Sequence, residues 1–70
     1  MPYEENEDLP PRVRNVLPDR AQDIYREAFN NAWERYGRDE VRAHKIAWAA
    51  VKKEYVKGPA GKWIPKEKAA

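Results

Sequence analysis

The stretch Ala21-Gln22-Asp23-Ile24-Tyr25-Arg26-Glu27-Ala28-Phe29-Asn30-Asn31-Ala32-Trp33-Glu34-Arg35-Tyr36-Gly37 decides how this chain folds. Its apolar members Ala21, Ile24, Tyr25, Ala28, Phe29, Ala32, Trp33 and Tyr36 recur at three- and four-residue steps, the repeat that lays one apolar stripe along an α-helix. Asp19 precedes the run with Gln22 three residues on, the pattern of a capping box, and Gly37 suits the left-handed position just past a helix end. The stretch predicts a long helix with one face committed to a core.

Downstream, Arg38 to Glu40 make a tight connection with Asp39 as the next N-cap, and so short a link predicts an antiparallel helical hairpin. The following helix is expected to run to Lys57, where Gly58-Pro59 stops it. At 100° per residue, Val41, Ala43, His44, Ala47, Trp48, Ala50, Val51 and Tyr55 share one wide face. The opposite face gathers Arg42, Lys45, Lys52, Lys53 and Lys57, with Glu54 off to one side. The preceding helix instead exposes a mixed set, Arg20, Asp23, Arg26, Glu27, Glu34 and Arg35, suited to ordinary solvation.

Upstream, Asp8-Leu9-Pro10-Pro11 reads as a helix entry with Asp8 as N-cap, and Leu9, Val13, Val16 and Leu17 give about two apolar turns before Pro18 closes the segment. Beyond Gly58, Trp63 and Ile64 are the large apolar residues of a tail broken by Gly and Pro, so they are expected to dock onto the helices beside Tyr3. The reading is a mainly α, three-helix domain over residues 1–65 with a flexible basic tail at 66–70. Its core is assigned to Ile24, Tyr25, Phe29, Trp33, Tyr36, Trp48, Val51, Tyr55 and Trp63.

The 70 residues suffice for one core, and with no Cys and one His the chain must stabilise it by packing its three Trp, four Tyr and one Phe. The acidic opening and the lack of any long apolar run predict a soluble, cytoplasmic monomer that inserts into no membrane. Net charge is +2, but it is polarised: residues 1–40 hold six Lys/Arg against ten Asp/Glu, and residues 41–70 hold eight against two.

Catalysis has little to stand on, because the chain contains no Ser, Thr or Cys and its carboxylates sit where caps and surface charges belong. His44 alone does not make a zinc site, which needs about four ligands, so a packed structural histidine is expected. No cofactor is implied. Asn30, in mid-helix with poor helix propensity, is expected to bond a neighbouring segment. Glu4, Glu5, Glu7 and Asp8 lack the spacing of a calcium loop. The basic face of Arg42, Lys45, Lys52, Lys53 and Lys57 is the candidate partner-binding surface, for an acidic protein surface first and for nucleic acid second.

Several strings together carry a family resemblance: Met1-Pro2-Tyr3, Asp8-Leu9-Pro10, Val16-Leu17-Pro18, Ala21-Gln22-Asp23-Ile24-Tyr25, Ala28-Phe29-Asn30-Asn31-Ala32-Trp33, Ala47-Trp48-Ala49-Ala50-Val51-Lys52, Tyr55 and Lys62-Trp63. With this order and spacing the chain resembles the ChaB family over nearly its whole length. The resemblance implies a small helical domain with a minor two-stranded pairing of the N- and C-terminal segments, Tyr3 meeting Lys62-Trp63. It also implies a non-catalytic regulator of cation transport, linked to a sodium or calcium/proton antiporter, that works by binding a protein. Viral relatives, for which nucleic-acid binding has been suggested, supply the alternative. Two departures matter: the connection at Gly37 to Glu40 lacks the longer charged insertion of some relatives, and Arg20 stands where relatives often have His.

Overall fold

The computed structural model describes residues 3–69, so Met1 and Pro2 of the opening motif and Ala70 of the tail lie outside it. A 3-10 turn at Asn6–Asp8 leads into α1 (Pro11–Arg14), α2 (Asp19–Arg35) and α3 (Glu40–Glu54), then strands β1 (Tyr55–Lys57) and β2 (Trp63–Pro65) and one further helical turn, α4 (Lys66–Ala69). That last turn occupies most of the segment read as a basic tail.

α2 and α3 form the antiparallel hairpin. α2 buries Ala21, Tyr25, Phe29 and Ala32, and α3 buries Ala43, Ala47 and Val51. The three small or β-branched residues of α3 let the two backbones approach while the rings of α2 fill the space beside them. Leu9, Val13 and Leu17 cap this core from the α1 side, and Ile24, Trp33, Trp48 and Trp63 pack half-buried around it. Full burial of each large apolar side chain contributes about 1.5–3 kcal/mol, which a domain without disulfides needs.

The hairpin turn is built as its residues suggest. Asp39 accepts the Arg42 backbone N–H at 3.1 Å as N-cap of α3. Gly37 takes φ +66° and Arg38 the same value, a conformation that Gly adopts without strain. Asn30 also fulfils its expectation: its amide receives the Tyr3 N–H at 2.8 Å and donates to the Tyr3 carbonyl at 2.7 Å, stitching the N-terminal segment to α2.

Five local expectations are corrected. Tyr36, assigned to the core, is 41% exposed, because α2 ends at Arg35 and, among the described residues, no third element covers it. Val41, placed on the apolar face, is 66% exposed for the same reason in the first turn of α3. The third helix stops at Glu54, not Lys57: Tyr55 turns extended (φ −131°, ψ 152°) and starts a strand while staying buried. At the helix starts, Gln22 donates back to the Leu17 carbonyl at 2.8 Å instead of closing a box with Asp19, and Asp8 accepts the Glu5 N–H inside the 3-10 turn instead of capping α1.

A further correction concerns the small sheet, whose strands are not the two termini. β1 pairs with β2 antiparallel, with Tyr55 opposite Pro65, Val56 opposite Ile64 and Lys57 opposite Trp63. Gly58 donates to the Lys62 carbonyl at 2.7 Å to close the loop, and a Cβ on Gly58 would lie 2.6 Å from that same oxygen. Trp63 donates its backbone N–H to Val16 at 2.8 Å and packs at a tilt against Trp48, while Tyr3 packs on Phe29 with centroids 4.9 Å apart. The two terminal segments thus dock on the helices separately.

Candidate functional site

α3 presents Arg42, Lys45, Lys52 and Lys53 to solvent, with only Ala49 among them. Positions 45 and 52 lie two turns apart on one edge, about 10 Å along the axis. Its two acids, Glu40 and Glu54, stand at the helix ends and leave the row uninterrupted. The ion pair found among the described residues, Arg26 to Asp23 at 3.6 Å, is on α2, and no described acid bridges these lysines. Lys57 is also exposed, but it sits on β1 and extends the row from beyond the helix. Arg42 lies over the Tyr36 ring, 4.9 Å from its centroid, a cation–π contact that holds one positive group beside an exposed aromatic. Such a row repels itself weakly in water and gains most against an acidic surface that displaces the solvent.

The edge of α3 nearer the core is a polar relay among rings. Trp48 donates its Nε1–H to His44 Nε2 at 3.1 Å, and His44 Nδ1 contacts the Tyr25 hydroxyl. Indole is only a donor, so Nε2 must be bare and the proton of neutral His44 resides on Nδ1, donating to the Tyr25 oxygen. A second proton on His44 would set two N–H groups against each other. Burial, reinforced by the Arg12 charge, lowers the His44 pKa below its ordinary value, against the opposing pull of Glu40. Burial, with Tyr3 and Glu40 adding to it and Arg12 opposing, pushes the Tyr25 phenol up to about 12. His44 is thus held neutral by packing, and among the described residues no three His, Cys, Asp or Glu converge as metal ligands.

A pH dependence follows. The unfolded chain protonates His44 near the ordinary imidazole value of about 6.5, while the folded chain resists protonation to lower pH. Its contribution is fully present above that pH and is lost as pH falls toward the folded value. Urea unfolding measured between about pH 7.5 and 5.5 should show stability falling on acidification, with a flatter profile for His44→Gln. Stability that rises on acidification in the unmodified chain would sink the neutral assignment.

The family model for ChaB matches residues 9–66. The chain belongs to the ChaB family. The Escherichia coli (strain K12) protein named "Putative cation transport regulator ChaB" is 53% identical, covering 94% of this chain and 99% of its own length. A protein of that name from Shigella flexneri matches to the same degree. A solution NMR structure under the same name superposes with a TM-score of 0.83 at 52% identity, covering 93% of this chain and 99% of the other. The helical domain with its two-stranded sheet is therefore the ChaB fold, and among the described residues no helix is long and apolar enough to cross a membrane.

Two features of the candidate site escaped the sequence. The exposure of Tyr36 contradicts its place in the helical repeat, and only the position of Gly37 immediately after it signals a helix end. The relay from Tyr25 through His44 to Trp48 crosses two helices, of which sequence spacing shows only the His44 and Trp48 pair, one turn apart on α3.

Proposed function

We propose that this ChaB protein is a non-catalytic regulator of cation transport that acts as a monomer, from the cytoplasmic side, by binding a protein partner. The contact surface is the basic row Arg42, Lys45, Lys52 and Lys53, with Lys57 beside it. The partner is an acidic surface on a cation transporter, of which a sodium or calcium/proton antiporter is the first candidate. The observation that carries the reading is the unbroken, unpaired run of exposed positive charge on one face of α3. The names of the relatives point to cation transport, and the exposed positive charge of α3 supports a charge-complementary partner.

Crosslinking in cells tests it. The unmodified chain should give a specific product with a transporter subunit, and the Lys45→Glu, Lys52→Glu double variant should lose it. Both positions are exposed, so the variant should melt nearly as the parent does, within about 0.5 kcal/mol. Products unchanged by the double variant would remove the basic face from the mechanism.

One observation favours a second reading, nucleic-acid binding: Tyr36 is an exposed aromatic held beside Arg42, the arrangement on which a base can stack. Duplex and single-stranded DNA titrated near physiological salt should then show binding that weakens steeply as salt rises. A flat titration with both removes this reading.

A further inference from the structure

We infer that the groove between α2 and α3 near Tyr36 is a docking site for an amphipathic helix of the partner protein, whose acidic edge lies along the basic row of α3. The inference rests on the protein-binding reading above and deepens it by specifying the chemistry of the partner's segment.

The groove has a volume of about 430 Å³ and is lined by Ala28, Asn31, Ala32, Arg35, Tyr36 and Ile46. Ala28, Ala32 and Arg35 stand at i, i+4 and i+7, so they form one strip of α2. Alanine methyls along this strip leave the gap unfilled, because the rings of Tyr25 and Phe29 are spent on the core. Ile46 supplies an apolar wall from α3, and Tyr36, held under Arg42, stands at the hairpin end. The open floor is apolar at Ala28, Ala32, Ile46 and the Tyr36 ring and polar at Asn31 and Arg35, in a chain whose other large side chains are mostly covered.

The charge on the two banks is unequal. On the α3 side, Arg42 and Lys53 sit a turn before and two turns after Ile46, and no acid stands between them. On the α2 side, Arg35 is followed around the helix by Glu27 and Glu34, which are exposed and mixed in sign with Arg20. A complementary occupant must place apolar groups against Ala28, Ala32 and Ile46 and its negative groups toward α3, where the positive charge is not mixed with acids as it is on α2. A helix with leucine-sized residues at i, i+3 or i+4, and i+7, and with Asp or Glu along one side of that stripe, meets both demands. A phosphate polymer matches the charge but offers no apolar side chain for Ala28, Ala32 and Ile46.

Methyl NMR on the full chain tests the inference with two synthetic helical peptides of identical acidic edge, one with Leu on the stripe and one with Gln there. The Leu peptide should shift the methyls of Ala28, Ala32 and Ile46 and bind roughly tenfold or more tighter than the Gln peptide. Ala28→Arg, which fills the groove from a half-exposed position, and Ile46→Ala, which removes its wall, should each erase that preference while the fold is kept by circular dichroism. Equal binding of the two peptides, or shifts confined to the lysine row, would overturn the groove and leave the basic-face reading standing. Binding by neither peptide, shifts that appear with protein concentration alone, or groove methyls that answer to duplex DNA would also overturn it. The basic-face reading fails separately, by a crosslinked product indifferent to Lys45→Glu, Lys52→Glu.

Discussion

Phe29→Ala is expected to remove about 3–5 kcal/mol of stability, the usual cost of emptying a buried aromatic site. A 70-residue domain has roughly 0.05–0.15 kcal/mol per residue to lose, so the variant should be largely unfolded or close to it. The ring is 2% exposed and meets Tyr3 at 4.9 Å, Tyr25 at 6.1 Å and Trp33 at 6.1 Å. Its loss would free the N-terminal segment and open the centre of α2 together. Urea unfolding followed by far-UV circular dichroism reads the effect as a drop in the midpoint. Tyr36→Ala is the matched control: it lies on the same helical repeat yet is exposed, so it should cost about 0.5 kcal/mol or less. Comparable losses in the two variants would mean that the core is drawn wrongly at the hairpin tip.

Trp63→Ala should have the second largest effect and a more local one. Trp63 is half-buried, packs at a tilt against Trp48 with centroids 5.4 Å apart, and belongs to the strand that anchors the C-terminal segment. Losing part of a Trp burial should cost about 2 kcal/mol, scaled down from the fully buried case. For a domain of this size that corresponds to about 8–16 °C in Tm. Amide exchange distinguishes local from global loss. The Gly58 and Trp63 amides, which bond Lys62 and Val16, should exchange faster by a larger factor than those of α2. Gly58→Ala attacks the same hairpin from the backbone side, since its Cβ would press on the Lys62 carbonyl, and should give the same pattern. Uniform acceleration across α2 and the hairpin would show that Trp63 belongs to the central core.

The helical pair and its lysine face were legible because they depend on short-range regularity. The three- and four-residue repeat of α2, the Asp39 cap and the short turn each express a constraint that acts within one or two helical turns. Even Asn30 announced a partner, since an amide in mid-helix needs a reason to be there. The end of α3 was misread because nothing local distinguishes Tyr55-Val56-Lys57 as helix or strand. The partner that decides it, Trp63-Ile64-Pro65, comes after a loop and supplies the cross-strand bonds.

Local order thus came from side-chain periodicity and capping chemistry, which the linear order of residues states outright: two amphipathic helices, an antiparallel hairpin and a positive row facing water. Exposure at the tip, the proton position on His44 and the groove beside Ile46 were settled only when the segments met. Each depends on which atoms stand opposite one another across elements, and burial or hydrogen bonding between distant residues has no signature in the spacing of either one alone.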